Sequence, residues 1–284
     1  MVKVTELHYD NTNTYVIATD RGTLMFDTGW AGTFPKLCKE LGQKGLRLQD
    51  VDYLLISHYH PDHCGIAQNI AEQGVTLIAM ESQKGYLHEA DKVFAKENRG
   101  DFLPIREEAV KWLAFSESAD FLKTLGLNGQ ILATPGHSED SVSLVLHQEA
   151  AFVGDLYPLY ELEVQEEIQV KDSWQQILAL NPKNIYYGHA KTAILEQEKI
   201  ATKVCPPKTV GVHDMSQPTE QKHKELYQTV KRIMQYIDKG WSLDRIETKL
   251  KVEHELVSDV CRMYLTHQNV GVQGILDRIE IKGK

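Results

Sequence analysis

The sequence has few cysteines and no long apolar run. The four cysteines among 284 residues form no C-x-x-C pair and are widely spaced: Cys38, Cys64, Cys205 and Cys261. This spacing argues against a thiolate zinc site or a disulfide framework and indicates reduced thiols. No apolar run approaches the roughly 18 residues that a membrane helix needs, and the first residues lack the composition of a signal peptide. We therefore expect a cytoplasmic protein without a membrane segment.

Positive charge is also scarce. The chain has 31 Lys and Arg against 40 Asp and Glu, a net charge of −9. The acidic excess lies in residues 1–204, with 18 basic against 29 acidic residues, whereas residues 205–284 contain 13 and 11. Because phosphate binding needs clustered positive charge, we do not expect nucleic acid to bind the first segment. The nearly neutral charge of residues 205–284 is compatible with nucleic-acid binding but gives no support for it.

The sequence does contain a dense group of metal-ligand side chains in the stretch 57–63, Ser-His-Tyr-His-Pro-Asp-His. It follows the apolar run 51–56, which indicates a buried strand, and precedes a predicted helix over 66–71. Crowded imidazoles and a carboxylate would lose solvation without gain unless a cation compensated them. We expect a metal site in a strand-to-helix loop. The alternative is a solvated polar turn.

Three more ligand-type residues each follow an apolar run: His137 in Thr-Pro-Gly-His-Ser, Asp155 in Phe-Val-Gly-Asp, and His189 in Tyr-Tyr-Gly-His. Together with H-x-H-x-D-H at 58–63, their order resembles the metallo-β-lactamase superfamily over roughly residues 1–204. The resemblance implies a four-layer αββα sandwich. Alternating and apolar patterns predict the matching strands and helices; the strands are 13–18, 23–26, 75–79, 130–134, 141–147, 150–153 and 185–187, and the helices are 33–41 and 172–180.

The resemblance also implies a ligand set for two divalent metal ions. We expect Zn²⁺, with Fe or Mn as alternatives. One ion would be held by His58, His60 and His137, the other by Asp62, His63 and His189, and Asp155 would bridge them. Asp62 and Asp155 are the expected catalytic carboxylates.

Three further residues are candidates near this centre. Asp27, in Asp-Thr-Gly after the strand 23–26, is a further resemblance to the superfamily, which implies that it orients a ligand imidazole; the alternative is a turn-forming Asp before Gly. Tyr157 and Tyr160 are candidate substrate contacts, although neither is at the family's spacing, and a structural role is the alternative for each. Residues 82–126 are helix-prone, and the resemblance implies that they form a wall of the cleft; the alternative is that they simply pack onto the sheet.

The surplus of ligands over one tetrahedral ion favours hydrolysis. Two ions about 3.5–4 Å apart can share a hydroxide that is nucleophilic at neutral pH. We expect this hydroxide to cleave an ester, thioester, lactone or phosphodiester of a small molecule. True β-lactamases of the superfamily typically lack the carboxylate at the place of Asp155, so antibiotic hydrolysis is not expected.

Alternatives stay open. They are a persulfide dioxygenase with one iron, a nuclease whose C-terminal segment binds nucleic acid, and a binding protein without catalysis. Two departures from the family pattern bear on the pocket: Ser57 stands where Thr is usual, and Glu139-Asp140 stands where Pro-Gly is common.

Residues 205–284 lie beyond the resemblance, and Cys205-Pro206-Pro207 marks the predicted domain boundary. Helices are predicted over 219–238, 243–250 and 253–267, and the last two have a spacing similar to a helix-turn-helix. The last helix is acidic, and a helical unit below about 70–80 residues seldom has a sufficient core by itself. We therefore expect this domain to form a homodimer or to shape the cleft, with nucleic-acid binding as the alternative.

Overall fold

The structure is a computed structural model that describes residues 2–159, 168–195, 218–238, 241–254, 256–257 and 260–261. Tyr160, Cys205 and most of the predicted helix 253–267 lie outside the described residues. The chain divides into two compact units, Met1–Cys205 and Pro206–Lys284. Among the described residues, no helix is long and apolar enough to cross a membrane.

The first sheet of the larger unit has six strands in chain order. Strands β1 to β3 pair antiparallel, and the steps from β3 through β6 are parallel. The strands predicted at 13–18, 23–26, 51–56 and 75–79 are confirmed, whereas β1 and β6 were not predicted. The bounds are β1 Lys3–Leu7, β2 Thr14–Ala18, β3 Thr23–Phe26, β4 Tyr53–Leu55, β5 Thr76–Met80 and β6 Val110–Leu113.

The second sheet has five strands in the order β11-β10-β9-β8-β7. Only the β9–β10 pair is parallel, and the other neighbours are antiparallel. The four predicted strands of this half are confirmed. The bounds are β7 Gly129–Ala133, β8 Val142–Leu146, β9 Ala150–Phe152, β10 Asn184–Tyr186 and β11 Ala193–Ile194.

Helices connect the strands and cover the sheets. The predicted helix-prone stretch 82–126 contains two helices, separated by β6. Cys64 is buried in the short helix at the end of the ligand stretch 57–63. The bounds are α1 Phe34–Gln43, α2 Pro61–Cys64, α3 Ala67–Ala71, α4 Glu89–Lys96, α5 Phe115–Thr124 and α6 Ile168–Ala179.

Both sheets are buried on two faces, which explains why their strands are almost continuously apolar. Tyr15 on β2 points between the sheets, where its ring lies 5.4 Å from that of Phe152 on β9. The next residue, Val16, faces the opposite side and joins the core beneath α1. Trp174 of α6 is buried against the outer face of the second sheet. This layering confirms the αββα sandwich.

The five strands that precede Asp27 and the predicted ligands end at one edge of the sandwich. Strands β3 and β4 run parallel in the first sheet, and β7, β9 and β10 share one direction in the second. A backbone hydrogen bond of 2.8 Å from Val142 to Ser57 joins the sheets there. In sheets of this kind, ligands bind outside the carboxyl ends of parallel strands.

The smaller unit contains two described helices, Pro218–Asp238 and Leu243–Leu250, which confirm two of the three helices predicted there. Val230, Ile233 and Ile246 are fully buried. The rings of Tyr236 and Trp241 stack at 4.4 Å between the helices.

Candidate metal centre

All seven predicted ligand residues converge at the shared edge of the two sheets. Their potential ligand atoms fall into three overlapping sets, in each of which the atoms lie within 4.8 Å of one another. Two sets share no residue, and we name them the three-histidine group and the acidic group. The first contains His58, His60 and His137, and the second contains Asp62, His63 and His189.

The three-histidine group brings three ring nitrogens to one point. Nδ1 of His60 lies 3.0 Å from Nε2 of His58 and 3.0 Å from Nε2 of His137. Nitrogen ligands at about 2.0–2.1 Å from a tetrahedral zinc ion would be about 3.3–3.4 Å apart. The group therefore fits a single ion with only small adjustments.

The acidic group has similar spacing and contains a carboxylate. Nε2 of His189 lies 3.0 Å from Oδ2 of Asp62 and 3.3 Å from Nε2 of His63. Nε2 of His63 lies 3.9 Å from the same carboxylate oxygen. Both Asp62 and His63 come from the first turn of α2, whereas His189 follows β10, so this group also joins the two sheets.

Asp155 lies between the two groups. Its Oδ1 is 3.2 Å from Nε2 of His63, and its Oδ2 is 3.4 Å from Nε2 of His189. On the other side, Oδ2 is 3.5 Å from Nε2 of His137 and 4.0 Å from Nε2 of His58. One carboxylate is thus within reach of both groups.

Hydrogen bonds at the outer ring nitrogens orient two imidazoles of the acidic group. Nδ1 of His63 lies 2.9 Å from Oδ2 of Asp27, and Nδ1 of His189 lies 3.0 Å from the carbonyl oxygen of Asn11. Each outer nitrogen must donate, because a carboxylate and a carbonyl can only accept. The Nε2 lone pair of each neutral ring therefore points inward, as metal ligation requires.

Ser57 extends this arrangement to the three-histidine group. Its hydroxyl lies 2.8 Å from Oδ2 of Asp27 and 3.0 Å from Nδ1 of His58. The single hydroxyl proton is donated to the carboxylate, so the oxygen accepts a bond from Nδ1–H of His58. Asp27 also accepts the backbone N–H of Ser57 at 2.7 Å. These contacts agree with the predicted orienting position of Asp27. Asp27 contacts His63 of the acidic group directly and His58 of the three-histidine group through Ser57.

The carboxylates in the centre indicate whether a cation fits. Both side-chain oxygens of Asp62 and Oδ1 of Asp155 are buried without a hydrogen-bond partner among the described residues. Nε2 of His189 is 3.0 Å from Oδ2 of Asp62, so without a metal only a doubly protonated His189 could donate to this oxygen. Buried polar groups of this kind are normally satisfied. A metal ion in place of that proton would be ligated by both the nitrogen and the oxygen.

Electrostatics divide the centre into a neutral and a charged half. Burial lowers the pKa of His58 well below its usual value and also lowers the pKa of His137. Burial opposes charge on His189 too, but Asp155 and Asp62 outweigh it and raise its pKa to about 10. Burial likewise disfavours ionised Asp155, yet His189 and His63 hold its pKa well below the usual range. The acidic half therefore attracts positive charge.

Glycine at 188 leaves room for Asp155. A Cβ atom at Gly188 would collide with Oδ1 of Asp155 and lie 2.8 Å from Cε1 of His63. Gly154, with φ of +54°, similarly brings the backbone against Ser57, since a Cβ there would lie 2.5 Å from the hydroxyl. The glycines before Asp155 and His189 thus allow the ligand loops to approach closely.

The centre is open on one side. His58 and His63 are fully buried, whereas 17% of the His137 side chain and 13% of the His189 side chain are exposed. The Tyr157 ring lies at 6.3 Å from that of His137, and its backbone carbonyl accepts a bond from the indole of Trp174. Of the two tyrosine candidates, Tyr157 is therefore beside the centre, and Tyr160 lies outside the described residues.

Two contributors were not predicted from the sequence. Ser57 was noted only as a departure from the family pattern, although its place beside His58 could have indicated a contact. Asn11 contributes a backbone carbonyl, for which its residue type gives no signal.

The αββα sandwich and its histidine and carboxylate donor set define a class of α/β protein with a candidate metal centre. The model of the metallo-beta-lactamase superfamily matches residues 9–189, which include all seven ligand candidates. The chain therefore belongs to the metallo-beta-lactamase superfamily.

Several curated relatives are similar to this chain. A probable metallo-hydrolase of Methanocaldococcus jannaschii is 28% identical over 191 residues, which cover 64% of this chain and 88% of that protein. A beta-lactamase-like protein 2 homolog of Drosophila melanogaster is 26% identical over 63% of this chain. The chain spans only 58% of the fly protein and 59% of its Caenorhabditis elegans counterpart.

Two further comparisons concern a named activity and the fold. The hydroxyacylglutathione hydrolase GloC of Haemophilus influenzae is 28% identical over 143 residues, 48% of this chain and 62% of that enzyme. A metallo-beta-lactamase family protein of Thermus thermophilus matches with a TM-score of 0.53 and 15% identity, covering 99% of this chain and 94% of that one. The second likeness shows the fold alone.

Proposed function

We propose that this chain hydrolyses a carboxylic ester, thioester or lactone of a small molecule at a centre of two divalent metal ions, with zinc the expected metal. The observation that carries this proposal is the position of Asp155, within 4.0 Å of ring nitrogens from both ligand groups. The similarity to a hydroxyacylglutathione hydrolase supports an acyl substrate. Persulfide oxidation at one iron is less well supported, because it leaves the buried Asp62 without a partner.

The residues would divide between the ions as their geometry suggests. The three-histidine group would hold one ion, the acidic group the other, and Asp155 would contact both. When bound, the ions would supply Lewis acidity and a water molecule whose pKa is lowered. The neutral imidazoles of the first group and the carboxylates of the second suit such cations.

Asp62 and Asp155 have further roles as proton acceptors and orienting groups. Two oxygens of Asp62 are buried, and only Oδ2 is close to His189. Oδ1 can therefore accept a hydrogen bond, and then a proton, from an attacking water molecule. Asp155, which lies between the three-histidine group and the acidic group, would fix the distance between them.

The substrate would approach through the open side of the centre. His137 and His189 flank this side, and the Tyr157 ring lies next to His137. The ring and hydroxyl of Tyr157 would contact the acyl group or its leaving group. The fully buried His58 and His63 close the opposite side, which restricts water to the open face.

The test is turnover by the zinc-loaded full chain on a panel of substrates. The panel contains a glutathione thioester, an aryl acetate, an acyl homoserine lactone, bis(p-nitrophenyl) phosphate and glutathione persulfide. We expect acyl hydrolysis that is lost in Asp155→Asn and retained in the exposed-site control Asp120→Asn. Turnover of the phosphodiester alone, or oxidation of the persulfide by an iron-loaded chain, would contradict the proposed function.

The smaller unit is proposed to support assembly, as a homodimer. The support for this proposal is its size, because a helical unit below about 70–80 residues seldom has a sufficient core by itself. Light scattering of the full chain tests the dimer. A monomer across the concentration range would contradict it.

A further inference from the structure

Asp140 is a buried carboxylate that the proposed function does not use. It stands three residues after His137, in the part of the sequence where Glu139-Asp140 departs from the family pattern. Its residue is only 2% exposed, whereas the adjacent Glu139 is exposed. Burying a carboxylate is unfavourable unless it receives hydrogen bonds. Its position therefore requires a partner.

The partner is the loop that carries the first two histidines. Oδ2 of Asp140 accepts the backbone N–H of Tyr59 at 2.8 Å. Tyr59 stands between His58 and His60, so this charge-assisted bond acts on the backbone that sets the direction of both rings. Asp140, which lies in the same loop as His137, thus holds the loop that contains His58 and His60.

The side chain of Gln83 forms hydrogen bonds with the same two segments. Its side chain is fully buried, and Oε1 accepts the N–H of Met80 at 3.0 Å, which identifies Nε2 as the donor. That amide nitrogen donates to the carbonyls of Asp140 at 3.1 Å and Ser57 at 3.3 Å. The two segments are therefore linked through both the side chain and the backbone of Asp140.

These links involve only one of the two ligand groups. The acidic group is oriented by other partners, since His63 contacts Asp27 and His189 contacts the carbonyl of Asn11. Neither of these contacts includes Asp140 or Gln83. Loss of the Asp140 carboxylate should therefore affect the three-histidine group first.

We propose that Asp140 is a positioning residue for the three-histidine metal site, which it assembles by holding the His58–His60 loop against the His137 loop. This inference rests on the proposed function, because it assumes that this group holds one of two ions. Removing partners that orient metal ligands typically lowers affinity about 10–100-fold. We expect a loss in that range at this site, and a change within about twofold at the acidic site, where the orienting contacts remain.

Three variants of the full chain test the proposal. Asp140→Ala removes the acceptor, Asp140→Asn keeps an amide oxygen at the same place, and Glu139→Ala is a matched control on the same loop. Co²⁺ titration followed by visible absorption reports on the two sites separately through their different ligands. We expect Asp140→Ala to lose the band of the three-histidine site, Asp140→Asn to regain most of it, and Glu139→Ala to match wild type.

Hydrogen exchange provides a readout without metal or activity. In the metal-free chain, the Tyr59 amide should exchange at least about tenfold faster in Asp140→Ala, because its buried acceptor is lost. Asp140→Asn should bring the rate back to within about threefold, since neutral hydrogen bonds are weaker than charge-assisted ones. If the alanine variant is insoluble, Asp140→Ser, which is too short to reach Tyr59 in the same way, replaces it.

The outcomes separate the two proposals. If wild type binds only one ion, the two-ion function fails, while the exchange rate of Tyr59 still decides whether Asp140 holds the loop. Wild-type exchange in Asp140→Ala, equal weakening of both sites, or failure of Asp140→Asn to restore either readout would overturn the inference.

Discussion

Oδ2 of Asp27 lies 2.9 Å from Nδ1 of His63, and both side chains are fully buried. The same oxygen accepts the hydroxyl of Ser57, which contacts His58. Asp27 holds this position with φ of +61°, a conformation that Asp and Asn adopt more readily than most residues. One carboxylate after β3 therefore orients imidazoles of both ligand groups.

Asp27→Ala should lower metal affinity about 10–100-fold, because an orienting partner of two ligands is lost. The unfolding free energy should also fall by about 1–3 kcal/mol, since the buried N–H of Ser57 loses its acceptor. Chelator competition and urea unfolding of the full chain measure these effects. The matched control is Asp27→Asn, because Asn tolerates the positive φ at this position and keeps one side-chain oxygen as an acceptor. Unchanged affinity in the alanine variant would contradict the orienting role.

Ser57→Ala should weaken the three-histidine site by about tenfold, because His58 loses the acceptor that fixes its tautomer. Ser57→Thr keeps the hydroxyl and should bind metal within about threefold of wild type. Isothermal titration with Zn²⁺ at equal protein concentration compares the two. Equal affinities for the alanine and threonine variants would show that the hydroxyl does not orient His58.

Gly188→Ala should displace the side chain of Asp155, because the new Cβ would collide with its Oδ1. We expect loss of at least one bound ion and of nearly all turnover. Metal content by mass spectrometry is the measurement. Gly85→Ala, where a Cβ meets nothing within 4 Å, is the control and should retain full metal content. Wild-type metal content in Gly188→Ala would contradict the predicted collision between the new Cβ and Asp155.

Metal removal should destabilise the fold. Ions that bind only the native state at about 100 times their dissociation constant add about 2.7 kcal/mol each. Chelation should therefore lower the melting temperature, and added Zn²⁺ should restore it. The Asp155→Asn variant should show a smaller difference between its chelated and loaded forms. A melting temperature independent of chelation would contradict metal binding at these residues.

The sequence indicated the centre because each ligand follows an apolar strand, and strand periodicity is a local signal. His137, Asp155 and His189 come together because the strands before them end at one edge of the second sheet. The αββα layers and the position of Asp27 were instead predicted from the resemblance to the metallo-β-lactamase superfamily. The apolar runs of β2 and β3 are separated by Gly22, a residue type that favours a turn.

Other features depend on contacts between distant segments and gave no local signal. Asp140 contacts Tyr59 across 81 positions, and the acceptor of His189 is the backbone of Asn11, 178 positions away. Strand β6 at the sheet edge was hidden in a charged, helix-prone stretch because only Val110 and Leu113 of its four residues are buried. Such partnerships are decided by tertiary packing, not by residue pattern.

The position of bound metal tests the central claim most directly. Anomalous diffraction at the zinc edge from crystals of the zinc-loaded full chain locates each ion without reference to activity. We predict two peaks, one within ligand distance of His58, His60 and His137 and the other of Asp62, His63 and His189, with Asp155 contacting both. A single peak at full occupancy, or peaks away from these side chains, would contradict the two-ion account.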